Sequence, residues 1–558
     1  MVMKIIYSLI APFKQHSNKW VILVILGMLL NACKRDILET KPLDKLSDIT
    51  VWTDPALMDA YISNTYRVLP HGFQFASRRL FCLSDESKPR GNAPYSVINA
   101  GNITPTALGP LDYWIGTSAD PGYYKCITQC NVFLANTTDI DFDSNIKNRM
   151  IGEVKALRAY SYFQMISFFG GVPLITKPFS LNDDFNIARS SYDECMNFVI
   201  KELDESIGLL PVEYDNTMKG HITKGAAMAI KARALLYAAS PLNNPSNDKT
   251  KWQKASDAAK AVIDLNKYKI FPNYKEMFQA ANNYNSEMIW VRPFNIVVDP
   301  EDVQIEQRLY PNGSDGYAQV NPLQNLVDCY ETKNGLLPAN DPTYNSQNPY
   351  INRDPRFYAT ILYDGAPFKG REIETFLPKG RDSKEGPVTP FNASESGYYL
   401  RKYIDEAITA PNSKNASDPS WPFFRYAELL LNFAEAQYFL GNQEVCREYI
   451  NMVRSRPSVQ MPPITDSGID LLNRLQNERF IELAFEAHRY FDVRRWKIAP
   501  TVLNVPAKGI SIKKAGDGKK TYSVFTIEQR RFQEKNYLVP IPQSEIDKDK
   551  NLEQNPGY

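Results

Sequence analysis

The 558-residue chain has no surplus of charge, 64 basic against 63 acidic residues, so no global field draws in nucleic acid or an anionic membrane surface. Histidine is scarce: His16, His71, His221 and His488 lie far apart, which argues against a histidine-rich metal site. Cysteine is sparse too. After Cys33 come Cys82, Cys126, Cys130, Cys195, Cys329 and Cys446, of which only Cys126 and Cys130 are close. Their spacing of four suits one face of a helix, and a zinc knuckle would need a second close pair, so the thiols read as mostly buried. A serine-hydrolase elbow, a phosphate-binding loop and a dinucleotide fingerprint are all missing. The loop carboxylates Asp299, Glu301 and Asp302 lack the EF-hand spacing. Beyond the N-terminus no segment approaches the ~18 consecutive apolar residues of a membrane-spanning helix. The chain therefore calls for no cofactor and no metal, and nucleic acid is not an expected partner.

The N-terminus carries a targeting signal. Lys4, Lys14 and Lys19 precede an apolar run from Trp20 to Leu30, too short to span a bilayer but of signal-peptide length. It ends in Leu30-Asn31-Ala32-Cys33, which resembles a lipobox, in which the cysteine is lipidated and becomes the mature N-terminus. The following Lys34, Arg35 and Asp36, and the polar stretch through Ser47, resemble the charged tag that sends such lipoproteins to the outer face of the outer membrane. Residues 1–32 are thus expected to be a signal peptide and 33–53 a lipid anchor and tether.

What the chain has in quantity is aromatic: 32 tyrosines and 28 phenylalanines. Its length suggests several core-sized units. Asp54-Pro55 opens a helix with Leu57, Met58, Tyr61, Ile62, Thr65 and Tyr66 at three- and four-residue spacings. From Ser77 to Gly122 the pattern breaks into Gly, Pro, Asn and Ser with interspersed aromatics, a binding-loop composition. Helical periodicity resumes near Tyr123 and continues in pairs, Asn145 to Phe169 with Ser190 to Leu210 and Thr223 to Ala239 with Trp252 to Leu265, suggesting tetratricopeptide-like stacking. Gly170-Gly171-Val172-Pro173 stops one helix. Glu287 to Arg292 reads as a strand, Asn295 to about Asn415 as irregular, and helices return over Phe423 to Leu440, Gln443 to Ser455 and Ile469 to Trp496. The expected fold is mainly α: tetratricopeptide-like helix pairs, a loop-rich ligand-binding part and few short strands. Its two regions are 54–285, helical, and 286–558, loop-rich and then helical.

Four blocks in order carry a family resemblance. They are Glu153 to Tyr160 running on to Phe169-Gly170-Gly171-Val172-Pro173-Leu174, Phe424 to Ala436, Glu478 to Trp496, and Pro540 to Ile546 with Asn555-Pro556-Gly557-Tyr558. Together they resemble the SusD/RagB family from Cys33 to the last residue. The resemblance implies a helical body of four tetratricopeptide-like pairs that caps a SusC-like TonB-dependent outer-membrane transporter. It implies a binding protein for glycans, or in a RagB-like branch peptides, and no enzymatic activity.

The place to look for chemistry is the third block, where Glu478, Glu482, Glu486 and Arg489 fall at spacings of three and four on one predicted helix. A di-iron bundle wants Glu-x-x-His, whereas His488 follows Glu486 by two. With Arg479, Arg489, Arg494 and Arg495 interspersed, a structural ion-pair network is the expected role, as it is for Arg158 near Glu153 and Arg425 near Glu428 and Glu435. Binding is better motivated. A sugar ring offers an apolar face to an aromatic, and its hydroxyls need planar donors and acceptors. In the first loop stretch Arg90, Asn92, Tyr95, Asn102, Tyr113 and Trp114 fit that description, and in the second Tyr310, Asn312 and Tyr317, with Trp114 foremost. Core packing under a long loop is the competing reading for each aromatic. The alternatives to oligosaccharide capture are peptide capture and, from another class, a carbohydrate-active hydrolase, which needs two carboxylates facing a sugar.

Overall fold

In a computed structural model the described residues are 48–558, apart from 76, 92, 118–119, 138–142 and 299–303. Cys33, Asn92, Asp299, Glu301 and Asp302 lie outside them, as do the leader and most of the tether. Contacts divide the chain at Met58, and Asp59–Tyr558 forms one unit across residue 285.

Each helix of that unit starts and stops on a local signal. Helix α1 (Pro55–Arg67) begins at its proline, and α2 (Tyr123–Thr137) follows the first irregular stretch. Helix α3 (Ser144–Phe169) opens where the Asp143 carboxylate accepts hydrogen bonds from the N–H groups of Asn145 and Ile146. It stops at Gly170, whose φ of 74° suits glycine. At Gly171 a Cβ would lie 2.1 Å from the Ser190 carbonyl oxygen, so the return strand can pass only glycine. Helix α4 (Tyr192–Leu209) opens with a capping box between Ser191 and Glu194. Thr223 caps α5 (Lys224–Ala239) and Asp248 caps α6 (Lys249–Asp264). Helix α5 buries Ala226, Ala227, Ala229, Ala232 and Ala234, small enough for α4 and α6 to close on it from both sides.

The helices stack in sequence order from α2 to α6, after which the chain leaves the stack. It returns with α7 (Tyr426–Leu440), which packs directly on α6. Trp252 stacks on Phe439 with ring centroids 4.1 Å apart, and the Gln437 amide donates to Ser256 Oγ at 2.7 Å. Helices α8 (Gln443–Arg454) and α9 (Gly468–Glu482) complete the stack around Leu430, Ala434, Ile450, Leu471 and Leu475. The helix pairs are thus real, but one of their junctions joins segments far apart in sequence.

All named strands form two-stranded pairs. Strand β1 (Ser87–Pro89) pairs antiparallel with β3 (Val320–Pro322), Ser87 opposite Pro322 and Pro89 opposite Val320, which brings the two irregular stretches side by side. Strand β2 (Met288–Arg292) pairs with β4 (Trp421–Arg425) and closes the excursion where it rejoins the stack. The hairpin of β5 (Ala507–Lys514) and β6 (Lys520–Glu528) follows α9.

Two helix boundaries differ from expectation. The first residues of the expected helix from Phe423 belong to β4. The expected helix from Ile469 to Trp496 breaks after Glu482: Phe485 and Ala487 have φ of 61° and 64°, and a separate short helix covers Arg489–Arg495. At the break the Phe485 N–H donates to Glu86 at 2.7 Å, while Glu486 turns to Arg425 and Lys402. Tertiary partners for these groups outweigh continuation of the helix.

Candidate functional site

The first loop stretch folds around its own arginines. The buried Arg78 guanidinium donates to the backbone carbonyls of Asp112, Asp120 and Pro121 at 2.5, 2.8 and 2.8 Å and lies over the Tyr113 ring. The Tyr95 hydroxyl donates to the Ser77 carbonyl and accepts from the Arg79 N–H, both at 2.9 Å. The Arg79 guanidinium lies over the Tyr95 ring and reaches across to the Gln319 carbonyl at 2.9 Å, beside β3. Backbone groups of an irregular segment need partners, and these side chains supply them.

Between this stretch and the C-terminal segment lies an open cleft of about 880 Å³, lined among others by Arg79, Arg90, Thr106, Asp112, Asp120 and Asp547. That volume holds a small oligosaccharide. A depression of about 940 Å³ across α4, α5 and α6 is walled by Lys231, Lys251, Lys254, Asp204 and Asp257 and has no aromatic in its lining. It offers nothing for a sugar face to stack on.

The structure takes five of the expected ligand-facing residues into the core. Trp114 is 3% exposed, its ring edge-on to Phe169 at 5.1 Å and tilted against Tyr124. Tyr113 lies between Phe168 at 4.5 Å and Tyr123 at 5.8 Å. Tyr95 is buried and holds the loop through its hydroxyl. Tyr310 is fully buried and donates to the carbonyls of Asp405 and Ile408, and Asn312 donates to the Val388 carbonyl while accepting from the Tyr399 hydroxyl. All five are buried and their polar atoms or rings meet the protein, and of them only Tyr95 is among the residues that line the cleft. Asn102 is exposed but outside the cleft lining. Arg90 lines the cleft, and Tyr317 is half-buried with its hydroxyl accepting from the Gln307 amide at 3.2 Å.

Arg90 also marks what the sequence did not single out. Its Nη1 approaches the Phe391 carbonyl at 3.5 Å, and the Phe391 side chain is 74% exposed. A large aromatic is thus left open near a guanidinium, whereas Trp114 is packed in the core. Arg79 and the Pro542–Asp547 side of the cleft were equally unforeseen, because nothing local connects residues 79, 391 and 542.

The acids of the third block are fully engaged. Glu482 accepts from Arg425 at 2.8 Å, Arg456 at 2.7 Å and Arg356 at 2.9 Å. Glu478 binds Arg356 and Arg454, and Glu486 binds Arg425 and Lys402. Despite burial, the surrounding guanidinium groups hold all three carboxyls below the usual carboxylate range. Most partners come from other elements: Arg489 pairs with Asp85, Arg495 with Glu435, Arg158 with Glu202, and Glu428 with Arg233, while Arg495 also meets Asp492 three residues earlier on its own helix. Among the described residues Arg494 pairs with no carboxylate, and it stacks over Tyr490 at 3.6 Å. Among the described residues no cluster of three or more His, Cys, Asp and Glu is placed to hold a metal ion.

Residues 275–558 match the model of the SusD family, and residues 43–236 match one described as starch-binding associating with outer membrane. SusD-like protein P38 of Formosa agariphila is 24% identical over 530 residues, covering 89% of this chain and 94% of that protein. The crystal structure of a SusD-like protein from Bacteroides fragilis superimposes with a TM-score of 0.78 at 29% identity, covering 93% of this chain and all, 100%, of that one. A SusD-like carbohydrate binding protein from the same species does so with a TM-score of 0.78 at 27% identity, covering 90% of this chain and 100% of its own.

Proposed function

The chain belongs to the SusD family, and on that premise we propose that it is a cell-surface lipoprotein that captures an oligosaccharide in the cleft beside Arg79 and Arg90 and passes it to a SusC-like TonB-dependent outer-membrane transporter. The observation that carries this reading is the open cleft of about 880 Å³ lined by Arg79 and Arg90, with the exposed Phe391, whose carbonyl accepts from Arg90, as the nearest candidate for a stacking ring. The ring offers a flat apolar face to a pyranose, Arg79 and Arg90 supply donors, and Asp112, Asp120 and Gln543 supply acceptors for hydroxyls. Kinship with a carbohydrate binding protein of the same fold supports the same ligand class. The reading is binding without bond cleavage, and the carboxylates of the third block, tied up in ion pairs, are not free to supply an acid and a base. Anchorage through a lipid on Cys33 accords with the outer-membrane association named for the family and with the described residues containing no helix long and apolar enough to cross a membrane.

The test is a glycan-array screen of soluble chain starting after Cys33, beside a peptide library, followed by titration calorimetry on the hits. Phe391→Ala is expected to weaken glycan binding roughly five- to tenfold, the worth of one aromatic stacking contact. Trp114→Ala is expected to cost about 3–5 kcal/mol of stability, as a buried Trp does, while the folded fraction still binds. Peptide hits without glycan hits would replace this reading with peptide capture.

A further inference from the structure

Arg79 and Arg90 bring the cleft two guanidinium groups whose charge a neutral sugar does not use. Elsewhere in the protein buried guanidinium groups are compensated: Arg158, Arg233, Arg356, Arg425, Arg456 and Arg495 meet carboxylates at 2.5–2.8 Å, and Arg78, Arg353 and Arg494, with no carboxylate partner among the described residues, each give their donors to two or three backbone carbonyls. That is what the cost of an uncompensated buried charge demands. Arg79 and Arg90 depart from it. Arg79 is only 8% exposed, yet its hydrogen-bond partners are a carbonyl and the Tyr95 hydroxyl. Among the described residues Arg90 has a buried Nε with no acceptor, and its guanidinium hydrogen bond, to the Phe391 carbonyl, is at 3.5 Å. Burial and the neighbouring Arg79 both lower its pKa, as expected of like charges held near each other. The carboxylate that acts on Arg90, Glu395, is already bound at 2.6 Å by Lys88, whose side chain is 2% exposed. Two guanidinium groups therefore line one cleft with no carboxylate at ion-pair distance among the described residues.

We infer that the ligand of this cleft is an acidic saccharide whose carboxylate or sulfate ester is received by Arg79 and Arg90. The inference rests on the glycan-capture reading above and names the substrate class of that site. A planar fork of N–H donors matches a carboxylate or a sulfate face two oxygens at a time, and such charge-assisted bonds are about twice as strong as neutral ones. The rest of the lining sets a limit. Asp112, Asp120 and Asp547 also line the cleft, and their short-range partners are neutral: the Gly116 N–H, the Gln74 amide and the Gln543 amide. A chain with a charge on every sugar would meet repulsion from them, so the fitting ligand carries acidic groups on some of its sugars and neutral hydroxyls on the others.

The experiment is calorimetry on the mature chain with matched oligosaccharides: a uronate-containing one and its carboxyl-reduced form, and a sulfated one and its desulfated form. The acidic member of one pair is expected to bind about ten- to a hundredfold more tightly than its neutral counterpart, and the pair that shows it identifies the anion. In Arg90→Gln, checked for an unchanged melting profile, that ratio is expected to collapse towards one. Arg90→Lys, which keeps the charge but loses the fork, should recover only part of it. Neutral and acidic forms bound equally by the wild type, or a ratio unaltered in Arg90→Gln, would overturn the inference while leaving glycan capture standing. No binding of any saccharide would overturn both.

Discussion

Glu482 sits where β4, α8, α9 and the short helix Pro355–Thr360 meet, and it is fully buried. Its carboxylate accepts from three guanidinium groups, those of Arg356, Arg425 and Arg456. Arg356 and Arg425 come from the excursion and Arg456 from the segment after α8, so this one side chain joins the returning helices to the loop-rich part. Glu482→Gln keeps the shape and removes the charge. The arginines keep Asp354, Glu478, Glu287 and Glu486 as partners, but the buried cluster is left with a surplus of positive charge. Breaking a buried pair in this way costs about 3–5 kcal/mol, against at most about 1 kcal/mol for an exposed one. The internal control is Glu205→Gln, which removes a pair of similar length, 2.6 Å to Lys155, from a side chain that is 42% exposed. Urea unfolding of wild type and both variants at neutral pH measures the difference. The pH dependence follows from the depressed native pKa: the charge contributes fully above the ordinary value of 4.5, and its contribution is lost as pH falls towards the native value. The gap between wild type and Glu482→Gln should therefore shrink in acid. A Glu482→Gln cost no larger than that of Glu205→Gln would refute the account of the network as the lock between the two parts of the chain.

Glu86 behaves in the opposite sense. Burial pushes its carboxyl up from 4.5 to about 8, although the Phe485 N–H and the Ser84 hydroxyl both favour the charged form. Its stabilising contribution is complete below pH 4.5 and is lost as pH rises through about 8. Glu86→Gln should therefore gain on the wild type across that window, by roughly 5 kcal/mol at most, and parallel stability curves would contradict this. At the N-terminus, Cys33→Ser is expected to abolish acylation: intact mass should show the lipid on the mature wild type and none on the variant, and an unmodified Cys33 in the wild type would remove the anchor.

The sequence by itself determined most of the helices, though not the break after Glu482 or the strand before Tyr426, because their signals are local: the caps at Asp143, Ser191, Thr223 and Asp248, the stop at Gly170, and apolar positions at helical spacing. It also showed that residues 77–122 and 295–415 are irregular, and that the charged residues of the third block serve structure. It determined neither their partners nor the binding surface. Trp114 and Phe391 look alike in sequence, each an aromatic in a loop; only the packing of Phe169 and Tyr124 buries the first, and only the fold of the 381–395 segment leaves the second exposed. Likewise α6 and α7 carry ordinary helical patterns, and nothing in either says that Trp252 will meet Phe439. The cleft depends on the pairing of β1 with β3 and on the C-terminal segment reaching back to residues 105–110. Helix starts and stops depend on residues a few positions apart, whereas exposure, ion pairing and the shape of a cleft depend on residues hundreds of positions apart. For those the tertiary structure decided.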